Sequence, residues 1–274
     1  MSITDLTPQQ LYMIFGLISL VAGFVLIYYY VKSKQLLNEM WAVDTYDARE
    51  LRRMCSDGFD ATVEVEGEVM CEHPLTSLAS QFPCCWFRTT VETKKRHVRY
   101  TKSGAQTYYE WETDYDKAFG TIFKVQDSTG YTLVDPMNAD IETERACQWT
   151  VCEREPWFEN VRWSDTGEYR ITEEIFVPAG YAYILGQASC TQKGTNPDAL
   201  IHYPSRGYMD EKRRFFVISR KNEKELTQSK ELTLKICIFF SVPAFLAAGY
   251  CFLILGGVIP SDIALSGWNE LYQQ

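Results

Sequence analysis

The chain has no Cys-x2-Cys pair, no Gly-x-Gly-x-x-Gly, no Walker-type phosphate loop and no Gly-x-Ser-x-Gly elbow. These absences remove the usual marks of zinc modules, dinucleotide and nucleotide sites, and serine hydrolases. Histidine is scarce: His73, His97 and His202 are the only three, and none stands beside a recognisable nucleophile. The net charge of −9 excludes a surface built for non-specific nucleic-acid binding, which needs a basic excess. No repeat and no low-complexity tract is present. On these grounds no catalytic residue, no metal ligand and no cofactor is assigned.

Charge is also missing locally. Residues 11–31, "LYMIFGLISLVAGFVLIYYYV", contain none, and neither do residues 236–260, "ICIFFSVPAFLAAGYCFLILGGVIP". About 20 apolar residues rising roughly 1.5 Å each match a bilayer core about 30 Å thick, so both runs are expected to be transmembrane helices. The first is a poor signal peptide, since Asp5 and no Lys or Arg precede it and it ends in Tyr-Tyr-Tyr-Val-Lys instead of a small-residue cleavage site.

All 27 Lys and Arg residues lie between these runs, from Lys32 to Lys235. By the positive-inside rule the central domain is expected in the cytoplasm and both ends outside, with Tyr28, Tyr29 and Tyr30 at the inner interface and Trp268 and Tyr272 at the outer one. Nine cysteines without a regular framework fit reduced thiols better than a disulfide scaffold.

Between the runs, residues 32–60 read as a juxtamembrane helical segment. Leu36, Leu37, Met40 and Trp41 recur at helical spacing, and Asp47 can cap "ARELRRMC". Residues 61–235 read as a mainly β domain. "ATVEVEGEV" alternates with period two, several later stretches are rich in aromatic and β-branched residues, and turns are expected at Asp127–Gly130 and Pro178–Gly180. Residues 191–207 read as a long loop and "KNEKELTQSKELTLK" as a helix entering the second span; residues 261–274 form a short tail. The fold class is a membrane protein with two helices flanking an α+β domain, a small antiparallel sheet or barrel.

One window raises chemistry. "GEVMCEHPLTSLASQFPCCWFRTTVE" holds Cys71, His73, Cys84 and Cys85, which are metal ligands, redox thiols or ordinary strand residues. The spacing is not that of a zinc site, and adjacent cysteines on a strand point to opposite faces, so strand residues are the preferred reading. Two basic clusters stand out. Lys94–Arg99 reads as a solvated strand edge; Asp210–Lys224 contains Arg213, Arg214, Arg220 and Lys221, candidates for contact with anionic lipid or a partner. Within the apolar runs Ser19 and Gly23, and Ala244 and Ala248, form small-xxx-small pairs, which suit packing of the two spans as a hairpin or association of chains.

In order, "GEVMCEHPLTSLASQFPCCWFRTTVE", "FKVQDSTGYTLVDPMNADIE", "EEIFVPAGYAYILGQAS" and "RRFFVISRKNEKEL", followed by an apolar run, resemble the GIDE ("beside a membrane") domain family. Its eukaryotic members are membrane-embedded RING-type E3 ubiquitin ligases of the mitochondrial outer membrane, with the order span, GIDE domain, span, RING. The resemblance implies a GIDE-like domain between two spans. It does not carry the ligase activity, because the tail "SDIALSGWNELYQQ" offers neither Cys nor His to bind the RING zincs.

The expected function is a membrane-anchored interaction or scaffold protein, a RING-less relative of that family. Its partners would be the lipid bilayer, an unidentified protein and a second copy through the spans, with no nucleic acid. The alternatives are a part in ubiquitin-like transfer with catalysis supplied in trans, and a membrane or envelope stress sensor. The membrane is the plasma membrane for a prokaryotic chain and the mitochondrial outer or another organelle membrane for a eukaryotic one.

Overall fold

A computed structural model describes residues 7–55, 59–101, 104–158, 161–190, 198–203 and 215–258. Helix α1 (Pro8–Ala42) runs without interruption from the first apolar run through the Leu36, Leu37 and Met40 stripe. Helix α2 (Ala48–Met54) is short and starts in a capping box: the Asp47 carboxylate accepts the Glu50 N–H while the Glu50 carboxylate accepts the Asp47 N–H. Helix α3 (Glu223–Leu255) begins where the Asn222 side chain accepts the Glu225 N–H at 2.8 Å, and carries Pro243 inside it. The chain divides into a helical unit, Met1–Asn38 with Thr227–Gln274, and a β unit, Glu39–Leu226.

In the β unit, β1 (Asp60–Met70), β6 (Phe123–Gln126), β7 (Tyr131–Val134), β12 (Ala199–His202) and β11 (Tyr181–Cys190) pair in that order, and β11 returns to β1. The five close into a barrel-like sheet. Its filling follows from alternation: Val63, Val65 and Val69 of β1 face Ala182, Ile184 and Ala188 of β11, together with Phe123, Val125, Val134 and Ile201. Gly67 sits where β1 meets β6, and a Cβ there would collide with the Gln126 carbonyl. β13 (Val217–Ser219) and β8 (Asp140–Ile141) extend this sheet from the other edge of β11. The sheet is mixed where an antiparallel one was expected, since β7 and β12 pair in parallel, as do β8 and β13.

A second sheet, wholly antiparallel, has the order β5-β4-β10-β9, with β4 (Trp86–Thr101), β5 (Gly104–Gly120), β9 (Glu144–Val151) and β10 (Tyr169–Phe176). A two-stranded flap, β2 (Leu75–Thr76) with β3 (Pro83–Cys84), lies beside it. The long-loop expectation for 191–207 is corrected in part, because "ALIH" forms β12. Four residues with Ala199 and Ile201 turned into the core are too short an alternation to stand out from the sequence.

Turn chemistry ties helix to barrel. The Asp127 carboxylate accepts the N–H groups of Thr129 and Gly130 within its own turn and that of Ala48 at 2.7 Å, so one residue shapes the β6–β7 turn and caps α2. Those N–H bonds outweigh burial and hold its pKa below the ordinary carboxylate value. The chain segments entering and leaving the β unit meet on β1: Thr45 donates to the Glu64 carboxylate at 2.8 Å, and the Glu223 N–H donates to that of Glu66 at 3.3 Å.

Candidate functional site

The window that first suggested metal resolves into packing. Cys71 follows the end of β1, and Cys84 and Cys85 stand at the end of β3 and the start of β4. Both adjacent cysteines are fully buried, but on opposite sides: Cys85 in the barrel core, Cys84 in a second cluster with Phe87 and Ile175. The two thiols point to opposite faces of the strand, and each face is covered by a core of its own, so neither meets solvent. Burial pushes the Cys84 thiol up to about 11, and pushes Cys85, which also contacts the Cys71 thiol, higher still. Thiols shifted this way resist forming the nucleophilic thiolate. Among the described residues no group of three or more Cys, His, Asp or Glu side chains is arranged to hold a metal ion.

Cys55 and Cys190 form a disulfide, with Cα atoms 5.5 Å apart and a sequence separation of 135. This corrects the expectation of reduced thiols throughout. The pairing arises because the end of α2 packs over the end of β11, a tertiary event with no local sequence pattern. Arg52 supports the same junction, reaching Asp198 at 3.3 Å and lying over the Tyr131 ring.

Two of the four cationic candidates are engaged within the β unit. The Arg220 guanidinium donates to the carbonyls of Tyr181 and Val177 at 3.1 and 2.6 Å, and lies 3.9 Å from the centre of the Phe176 ring. It thus braces the Pro178–Gly180 turn between β10 and β11, where Gly180 takes a positive φ of 86°. Lys221 pairs with Glu142, which also accepts the Ser219 hydroxyl at 2.5 Å. Arg213 and Arg214 lie outside the described residues, as do Trp268 and Tyr272.

The small residues of the helical unit come together. A Cβ on Gly23 would sit 2.8 Å from the Phe245 ring, and one on Gly16 would sit 3.1 Å from the Cys251 Cβ. Phe24 meets Phe245 edge-on at 5.5 Å, and Ala248 is buried. Rising numbers on α1 against falling numbers on α3 show an antiparallel hairpin. Gly23 and Ala248 were singled out from the sequence; Ser19 is half-buried on the same side, as is Ala244, while Gly16 was missed. Outside this seam apolar side chains stand open, with Phe239 and Leu246 both about 70% exposed. By length and composition, both helices are able to cross a membrane.

The histidines have separate fates. His97 stacks on Tyr108 with ring centres 5.3 Å apart and lies 3.3 Å from the Glu112 carboxylate. His202 meets the Ser189 hydroxyl at 2.8 Å through Nε2 and the Tyr203 carbonyl at 2.8 Å through Nδ1. With the proton on Nδ1 the ring would accept from Ser189, a partial nucleophile relay oriented by a carbonyl instead of a carboxylate. A cleft of about 280 Å3 is lined by Trp86, Asp116, Asn138 and the Arg88 guanidinium, which is bound by Asp116 through two bonds of 2.7 and 2.6 Å.

No protein-family model, curated protein or solved structure matches the chain.

The most exposed large hydrophobic side chain among the described residues lies on the β4–β5 hairpin. Tyr100 is 85% exposed, and Val98, Tyr108 and Tyr109 are exposed beside Arg96 and Arg99. The Lys94–Arg99 cluster, expected to be a solvated strand edge, is thus interleaved with aromatic side chains contributed by the opposite strand. Sequence inspection missed this because the rings lie about ten residues downstream and only the register brings them alongside.

Proposed function

We propose that the chain is a membrane-anchored interaction protein, its β unit a GIDE-like domain held by two spans. The observation that supports this most directly is the antiparallel packing of α1 and α3 at Gly16 and Gly23, with apolar side chains open on their remaining faces. A helix pair of this composition is stable where hydrocarbon replaces water around those faces. The order of apolar helix, barrel and apolar helix also supports the resemblance to the GIDE family, and the exposed aromatic and cationic hairpin supplies a contact surface. The distribution of Lys and Arg favours a cytoplasmic β unit with both chain ends on the other side.

The test is extraction of native membranes with alkaline carbonate, followed by chemical crosslinking of the pellet. Retention in the pellet together with one reproducible crosslinked protein is the expected result. Release into the supernatant overturns anchoring. Self-modification of the purified chain by E1, E2 and ubiquitin would replace the interaction reading with transfer chemistry.

A further inference from the structure

The β4–β5 hairpin is longer than the sheet that contains it. β10 pairs with β4 only up to Tyr169↔Thr93, and a last bond joins the Lys94 N–H to the Glu168 carbonyl at 3.3 Å. The loop after Trp163 covers a little more, as Asp165 accepts the Arg96 N–H at 2.9 Å. From His97 to Thr101 the outer edge of β4 pairs with no strand among the described residues, while its inner edge stays paired to Tyr108 through Gly104. This ribbon projects roughly 15 to 20 Å at about 3.4 Å per residue.

The two edges of the hairpin differ in charge. The β4 side reads Lys94, Lys95, Arg96, His97, Arg99, whereas the β5 side carries Glu110, Glu112, Asp114 and Asp116. Open edges invite another strand unless guarded, and a row of carboxylates guards β5 against any acidic newcomer. On β4 the inner cations are committed: Lys94 pairs with Glu168 at 2.6 Å, and Lys95 donates to the Trp163 carbonyl at 2.5 Å. Arg96 and Arg99, both exposed, have no ion-pair partner among the described residues. They flank Val98 and stand beside Tyr100.

We propose that the outer edge of β4, from His97 to Thr101, docks an extended acidic peptide segment of a partner protein, which adds as a strand in the position that β10 leaves vacant. Main-chain bonds to the open edge give affinity. Arg96 on one face and Arg99 on the other meet carboxylates an odd number of positions apart in the segment, and Tyr100 covers its apolar part. A nucleic acid has no backbone N–H to offer this edge, so it cannot add to the open strand as a peptide segment does. The inference deepens the interaction reading above and rests on it.

The test uses the full chain in neutral nanodiscs and a fluorescein-labelled peptide of two Glu-Glu-Thr-Val repeats, whose adjacent glutamates turn to opposite faces of a strand, with a Lys-Lys-Thr-Val peptide as control. Binding of the acidic peptide only, weakening with salt, is expected in fluorescence anisotropy. Amide exchange should slow at residues 97–101 and stay unchanged along 110–116. Arg96→Glu with Arg99→Glu should weaken binding by about tenfold or more while leaving the circular dichroism spectrum unchanged. Tyr100→Ala, which removes an exposed ring, should weaken it less and guards against a misfolded double variant.

Absence of binding overturns the proposal, and so does binding that the arginine variants do not alter. Equal binding of a single-stranded oligonucleotide or of phosphatidylglycerol vesicles, without slowed exchange at 97–101, assigns the surface to polyanions and also overturns it. Protein retained in the carbonate pellet that fails the peptide assay loses this inference and keeps its anchoring. Protein that washes off membranes yet binds the peptide does the reverse.

Discussion

The Tyr183 hydroxyl donates to the Glu64 carboxylate at 2.8 Å, and both residues are buried although they sit on the outer face of the barrel. Segment 43–46 covers them, with the Tyr46 N–H on the Glu64 carbonyl at 2.9 Å and Thr45 on its carboxylate. Burial raises the Glu64 pKa above its ordinary 4.5, while the Tyr183 and Thr45 bonds pull it partly back.

A carboxyl raised by folding binds its proton more tightly in the native state. Its unfavourable contribution is absent below the unfolded pKa and complete above the folded one. Glu64→Gln keeps an acceptor for Tyr183 and removes the ionisation, so the variant should gain stability relative to the parent as pH rises from 4 to 7. Tyr183→Phe takes away a donor and should cost about 1 to 3 kcal/mol at pH 7. Chemical denaturation at both pH values measures the two effects.

Glu173 behaves in the opposite sense. It is fully buried in β10 and accepts the N–H groups of Ala79 and Ser80 at 2.9 and 2.8 Å, the Thr89 hydroxyl at 2.9 Å and the Ser80 hydroxyl. Burial alone would raise its pKa, but these bonds together lower it below 4.5. The stability it supplies is present above pH 4.5 and is lost as pH falls through the depressed native value. Glu173→Gln turns an amide donor toward backbone donors and should cost about 2 to 3 kcal/mol at neutral pH. It should also flatten the acid limb of the stability curve, as read by denaturant titration from pH 3 to 7.

These two carboxylates show where sequence inspection stops. The strand alternation around Val63 and Val65, the Asp47 cap, the Asp127 turn and the two apolar helices were all legible because each is a local pattern. Glu64 and Glu173 look like solvent-facing members of alternating strands. Their burial depends on what folds over the other face, segment 43–46 for one and the Ala79–Ser80 turn for the other. Cys55 and Cys190 stayed unpaired in the sequence for the same reason. The hairpin tip was half legible: its cations and Tyr100 are contiguous, but Tyr108 and Tyr109 belong to the returning strand.

Gly23 should not tolerate a larger side chain. A β-branched residue at this position would push into the Phe245 ring and separate the helices. Gly23→Val should lower the midpoint of unfolding in mixed detergent and dodecyl sulfate, and Phe245→Ala should restore much of the loss when combined with it. Gly249 has open space around it, so Gly249→Val should have a much smaller effect.

The Cys55–Cys190 bond closes a long loop, and Cys55→Ser should cost about 2 to 5 kcal/mol, measured by thermal melting with and without reductant. The same pair reports sidedness. Disulfides persist in oxidising compartments and are reduced in a glutathione-buffered cytoplasm. Trapping thiols with an alkylating agent in intact cells should modify both cysteines, as the proposed cytoplasmic β unit requires. A pair that resists modification until reductant is added puts the β unit on the oxidising side and overturns that topology.

Thr45 and Glu223 contact β1 at Glu64 and Glu66, on the same strand and two residues apart. Entry and exit are therefore stitched to neighbouring rungs, and everything from residue 45 to 223 is a closed cassette with a narrow mouth. A cassette of this kind can be excised, exchanged or permuted without changing how far apart the two chain ends are carried. Shear between those ends would be felt first at adjacent rungs of β1, long before it reached the projecting hairpin.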